Sequence, residues 1–213
     1  MKTFKQFLLE AKQLKEEQDI DGIIGIEGDY TINNGVVDVV GDVLVIDYKK
    51  MIKNNIRFGK VSGDFKFWAP DEVKEFVGMP KEVGGDFYCR SNRFDGTPKI
   101  KSLEGAPQKV GGDFIVRGCD KLVSLKGGPR VVDGDFNCSV CNLVSLEGSP
   151  EKVGGDFDCI KCNNLVSLEG SPKIVGKTFD CSSCYKLSSL DGLSKNIKKI
   201  KCDNNLKKFL KDI

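Results

Sequence analysis

Three Cys-x-x-Cys pairs, Cys138/Cys141, Cys159/Cys162 and Cys181/Cys184, are the first place in this chain where chemistry could reside. Two such pairs brought together would offer four thiolates to a zinc ion, and a single pair would suit thiol–disulfide exchange. The pairs recur at intervals of 21 and 22 residues, however, and their columns drift. Val116 stands where one rung should carry its first cysteine, and Asn92 and Asn205 stand where others should carry the second. A metal site does not tolerate that exchange, whereas a packed column does. Reduced, buried thiols are therefore the favoured reading, with zinc or a disulfide as the alternative. An odd total of nine cysteines and no signal-peptide pattern point to the same reducing setting.

A second row holds carboxylates: Asp42, Asp64, Asp86, Asp113, Asp135 and Asp156. Paired carboxylates support acid–base work, but one at every rung reads as a solvated or turn-bonding column. Gly84-Gly85 and its repeats lack the following Lys-Ser/Thr and helix of a phosphate loop, so they read as a tight bend. The chain has no histidine, which removes the usual general base and the commonest metal ligand together. The expectation is a non-catalytic protein with no cofactor and no metal.

Composition sets the frame for these residues. With 39% hydrophobic and 30% charged residues and a net charge of +2, the chain has the make-up of an ordinary soluble protein. The near-neutral balance argues against a nucleic-acid partner, and no apolar run reaches membrane-spanning length.

What positions the cysteines and aspartates is a repeat. VDGDFNCSVCNLVSLEGSP, VGGDFDCIKCNNLVSLEGSP and VGKTFDCSSCYKLSSLDGL follow one another, and their anchors align at Val43, Phe65, Phe87, Phe114, Phe136, Phe157, Phe179 and Ile200. The spacings are 22, 22, 27, 22, 21, 22 and 21, with the long interval assigned to a turn-rich insertion near Phe94–Pro98. Two residues past each anchor comes a second apolar column, Val45 through Cys202, and alternation at period two marks a strand with one buried face. Further columns hold the asparagine or cysteine, then Leu122, Leu143, Leu165 and Leu187, then Phe76 through Leu190 with Phe209 as its last member. One such rung cannot bury its own apolar side, but a stack can.

Phe136-x-Cys138-x-x-Cys141-x-Leu143 resembles the leucine-rich repeat, and the likeness runs over about residues 36–210. The departures are phenylalanine and cysteine where leucine is usual, and Gly-Gly before the strand. The resemblance implies a mainly β, leucine-rich-repeat-like solenoid of short 21–22 residue units. Its parallel strands would stack in one curved sheet, with an N-terminal helix and hairpin as cap.

Residues 1–18 read as an amphipathic helix, with Phe4, Phe7, Leu8, Ala11 and Leu14 on one side. MKTFKQFLLEA resembles the capsid-targeting leader of internal head proteins from T-even-type bacteriophages. That resemblance implies processing at Leu8-Leu9-Glu10, with the cut before Ala11. Residues 19–39 form a capping hairpin around Asn33-Asn34-Gly35, residues 40–193 the solenoid, and residues 194–213 a basic closing rung.

Residues between the inward columns face outward: Tyr88 and Arg90, Ile115 and Arg117, Asn137 and Ser139, Asp158 and Ile160, Asp180 and Ser182. In a curved solenoid this is the recognition face, and its aromatic and arginine groups suit a protein partner. The expected role is a protein–protein interaction module. The leader resemblance implies a place in the virion head, with delivery into the host as a further step, bound to a head component or a host protein. The alternative is a phage or bacterial effector in the host cytoplasm that binds and inhibits a host protein, such as a defence factor.

Overall fold

The structure, a computed structural model, describes residues 23–69, 71, 73–91 and 97–211. The expected 1–18 helix, its Leu8, Glu10 and Ala11 processing motif, Asn92 and residues 94–96 of the insertion lie outside the described residues, as do the side chains of Arg90 and Ser91.

Strands β1 (Ile24–Asn33) and β2 (Val36–Val45) form an antiparallel hairpin whose register runs from Asn33 opposite Val36 to Ile24 opposite Val45. Its two-residue turn needs positive φ at both positions. Asn34 and Gly35 supply it, at φ 52° and 77°.

β2 is the strand from which the molecule grows. Its first half pairs in parallel with β3 (Arg57–Val61) and its second half in parallel with β4 (Phe65–Ala69). From β3 a ladder continues through β5 (Glu82–Val83), β7 (Lys109–Val110), β9 (Val131–Val132), β11 (Lys152–Val153) and β13 (Ile174–Val175). From β4 another continues through β6 (Phe87–Ser91), β8 (Phe114–Ile115), β10 (Phe136–Asn137), β12 (Phe157–Asp158), β14 (Phe179–Asp180) and β15 (Ile200–Lys201). The result is a β-solenoid of about 7 turns. The sequence pattern announces the phenylalanine ladder; the valine ladder beside it, separated by the Gly-Gly-Asp corner, is an addition that only the pairing reveals.

The anchors meet in register, each paired with the next from Val43 opposite Phe65 to Phe179 opposite Ile200. Strand spacing near 4.8 Å brings identical side chains to ring-stacking distance. Phe65, Phe87, Phe114, Phe136, Phe157 and Phe179 accordingly form one pile, with centroids 5.0–6.0 Å apart and planes within 12° of parallel. Each fully buried ring contributes about 1.5–3 kcal/mol of hydrophobic stabilisation. The cysteine column behind the anchors and the two leucine columns are buried with them.

Two expectations at the C-terminal end need correction. Asn205 does not occupy the asparagine/cysteine column: it is exposed on a 3₁₀ helix, η1 (Asn204–Lys211), that replaces a further rung. Phe209 is half-buried on the same helix rather than seated in the leucine column. A short helix α1 (Tyr48–Lys53), absent from the sequence reading, is capped by Asp47, whose carboxylate accepts the Lys50 N–H at 2.9 Å. Its Tyr48 hydroxyl accepts the Val77 N–H at 2.8 Å and donates to the Glu75 carbonyl at 3.1 Å, fixing the segment beneath it. Burial pushes that phenol up to about 12.

The corner between the ladders explains the aspartate row. The Oδ1 of Asp42 accepts the backbone N–H of Asp64, that of Asp64 the N–H of Asp86, and so on through Asp113, Asp135 and Asp156, at 2.7–2.8 Å. Every carboxylate satisfies a donor that the bend leaves without a ladder partner, one rung on. The column is turn-bonding. Asp64 is held below the ordinary carboxylate range: burial opposes, but the Asp86 N–H and the Lys66 ammonium outweigh it. From Asp64 on, the glycine preceding each aspartate makes room for the carboxylate of the rung before; a Cβ on Gly155 would sit 1.9 Å from the Asp135 Oδ1.

Candidate interaction face

The phenylalanine strands alternate, so residues one and three past each anchor leave the core together. Register places Leu44 beside Lys66, Lys66 beside Tyr88, Tyr88 beside Ile115, Ile115 beside Asn137, Asn137 beside Asp158, and Asp158 beside Asp180. The predicted residues are thus neighbours on one face, but they are not equally accessible. Arg117 is exposed, and Ile115, Asn137, Asp158, Ile160 and Ser182 are half-buried. Ser139 and Asp180 are buried, at 5% and 6% exposure, which corrects their expected place on an open surface. Tyr88 is half-buried, and Arg90 lies across from Trp68 in the ladder.

The buried members are held by local hydrogen bonds. The Asn137 Oδ1 accepts the Ser139 N–H at 3.0 Å, and its Nδ2 donates to Asp158 at 3.5 Å. The Asp180 Oδ1 accepts the Ser182 N–H at 3.0 Å, while its Oδ2 lies 3.5 Å from the Lys201 ammonium. Burial and the neighbouring carboxylates of Asp180, Asp156 and Asp135 push the Asp158 carboxyl above its ordinary value. The face therefore changes character along the stack. It is aromatic, aliphatic and basic at the first rungs, and acidic and self-bonded at the later ones.

Four members of the first rungs escape the sequence reading: Leu44, Ile46, Lys66 and Trp68. Leu44, Ile46 and Trp68 are exposed at 36%, 52% and 46%. Lys66, Phe67, Trp68 and Tyr88 line a shallow depression of about 310 Å³. The signal existed, because Lys66 and Trp68 lie one and three residues past Phe65, as Tyr88 and Arg90 lie past Phe87, and Trp68 is the only tryptophan. A larger depression of about 640 Å³ lies where the hairpin meets the valine ladder, bordered by Tyr30, Val40, Lys60, Glu82, Lys109 and Asp133.

The cysteines belong to the interior. All nine are free thiols, eight of them buried and Cys202 half-buried. Thiols of the first column donate forward to the next rung's carbonyl, as Cys159 does to Asp180 at 3.4 Å. Those of the second donate backward, as Cys184 does to Cys159 at 3.2 Å. Burial pushes the Cys89, Cys138, Cys141 and Cys181 thiols up, away from the reactive thiolate. Among the described residues no group of three or more cysteine, aspartate or glutamate side chains is placed to hold a metal ion.

A scan against protein-family models finds no match to this chain, and searches of curated proteins and of solved structures return none.

Proposed function

We propose that this protein is a non-catalytic protein–protein interaction module of leucine-rich-repeat-like type that docks a partner on the first rungs of its phenylalanine ladder. The observation that carries the reading is Trp68, exposed on a rigid strand at the edge of the Lys66–Tyr88 depression, with Leu44 and Ile46 exposed on the neighbouring rung. Tryptophan, tyrosine and arginine anchors in a pocket with an apolar surround are the usual centre of an interface. β4 and β6, which present Trp68 and Tyr88, are parallel-paired on both sides, so little ordering entropy opposes docking.

The leader resemblance at residues 1–11 supports a partner within a phage head, or a host protein met after injection. Two measurements test the reading. N-terminal sequencing of the protein from purified virions should give a chain beginning at Ala11; absence from virions, or a retained Met1–Glu10, removes the head assignment in favour of an intracellular effector. Cross-linking of the purified protein to disassembled capsids should be lost in Trp68→Ala and Arg117→Ala but kept in Lys152→Ala. Unchanged cross-linking in the first two variants overturns the proposed face.

A further inference from the structure

Several outward cations of the solenoid are neutralised by a carboxylate one rung away. Lys60 pairs with Glu82 at 2.9 Å, Lys126 with Glu147 at 3.0 Å, and Glu151 takes both Arg130 at 3.1 Å and Lys173 at 3.4 Å. The C-terminal cap differs in the density of its cations. Residues 195–213 carry seven lysines and two acidic residues, Asp203 and Asp212. Asp203 is turned to the fold, where its Oδ1 accepts the Ser183 N–H at 2.9 Å. Among the described residues, Lys201 is the one of these lysines that reaches a carboxylate, that of Asp180. Lys195, Lys198, Lys199, Lys207, Lys208 and Lys211 are exposed and make no ion pair among the described residues. The chain's total of +2 is therefore an average over a net −3 in residues 1–194 and a net +5 in residues 195–213. That average is why composition alone argues against a nucleic-acid partner.

The cap holds these ammonium groups in fixed relation. Lys201 is in β15, which pairs with β14, and η1 follows immediately. The helix buries Leu206 and packs Phe209 and Leu210 against the core, so its lysines are left on the outside. Lys208 and Lys211 are one 3₁₀ turn apart, about 6 Å. This is inside the screening length of about 8 Å at physiological salt, so the charges act together. Such clustering costs stability through self-repulsion and is relieved by a polyanion.

We propose that this basic end is a binding site for the phosphate backbone of nucleic acid, without sequence preference. The alternative polyanion, an anionic lipid surface, is disfavoured by the packing. Ile197 and Leu206 are buried, and Phe209 and Leu210 are half-buried against the core, so among the described residues of the cap no fully exposed apolar side chain is left to enter a bilayer. Phosphate contacts by lysine need none. The site is independent of the aromatic face at the other end of the stack.

The test is fluorescence anisotropy with a labelled 20-base-pair duplex of arbitrary sequence, its single strand, and phosphatidylserine vesicles, using the full chain. Neutralising about five phosphates predicts an affinity loss of about 500-fold between 50 and 200 mM salt, from a slope near −0.9 per contact. Lys198→Glu/Lys199→Glu/Lys207→Glu/Lys208→Glu should abolish binding at 50 mM salt and keep the circular dichroism melt. Lys207→Glu/Lys208→Glu, on the helix alone, serves if the fourfold variant does not fold, and should flatten the salt slope by about two units. A matched reversal on the body, Lys101→Glu/Lys109→Glu/Lys152→Glu/Lys161→Glu, should leave binding intact. No binding of either nucleic acid at 50 mM salt, equal loss in the body variant, or equal affinity for the vesicles overturns the proposal.

Discussion

The aspartate corner makes a prediction that separates a structural column from a merely solvated one. Asp135 sits mid-stack: its Oδ1 accepts the Asp156 N–H at 2.8 Å, and its own N–H donates to Asp113 at 2.7 Å. Asp135→Ala leaves the Asp156 N–H with no protein acceptor in a part-buried bend. A hydrogen bond to a charged acceptor is worth about 1.5–3 kcal/mol, and the 37% exposed side chain argues for the lower half of that range, about 2 kcal/mol. For a domain of this size that is a fall in melting temperature of about 4–8 °C. Asp135→Asn keeps an acceptor oxygen and should cost about half as much. Gly155→Ala probes the same contact from the other side, because its Cβ would sit 1.9 Å from the Asp135 Oδ1 and 2.9 Å from the Gly134 backbone. Combining Gly155→Ala with Asp135→Ala should therefore cost less than the sum of the two, since the second change removes the first clash. Thermal and urea melts followed by circular dichroism measure all four proteins. An Asp135→Ala melt indistinguishable from the parent, or strict additivity in the double variant, would refute the ladder as a source of stability.

Two other outcomes follow from the rungs. The residue before each second-column cysteine takes a left-handed backbone: Gly118 at φ 80°, Val140 at 61°, Lys161 at 58° and Ser183 at 60°. A β-branched side chain is the least suited to that conformation, and Val140 is 41% exposed, so Val140→Asn should raise the melting temperature by a few degrees, while Gly118→Val should lower it. Titration with a thiol reagent on the native protein should show one fast-reacting group, lost in Cys202→Ser, and all nine only after denaturation; several fast thiols in the native state would contradict the packed-column reading.

The sequence by itself determined the rungs. Inward columns at a fixed period are a local property: alternation decides which side chains turn inward, and the spacing of Val43, Phe65 and their successors decides which of them stack. The hairpin turn was equally local, since Asn34-Gly35 alone tolerates its geometry. Tertiary structure decided whatever depends on pairing between rungs. Lys152-Val153 is too short to read as a strand until Val131-Val132 and Ile174-Val175 lie on either side of it. Cys138 and Cys141 look like partners because they are close in sequence, yet the Cys162 thiol donates to the Cys138 carbonyl, one rung away. Ser139 and Asp180 had the right parity for an open face and were nonetheless enclosed, because exposure is set by the side chains of neighbouring rungs. The lysines of the cap, finally, are counted in the sequence, but that Lys201 reaches Asp180 while Lys60 and Lys126 find glutamates one turn on is fixed only by the stacking.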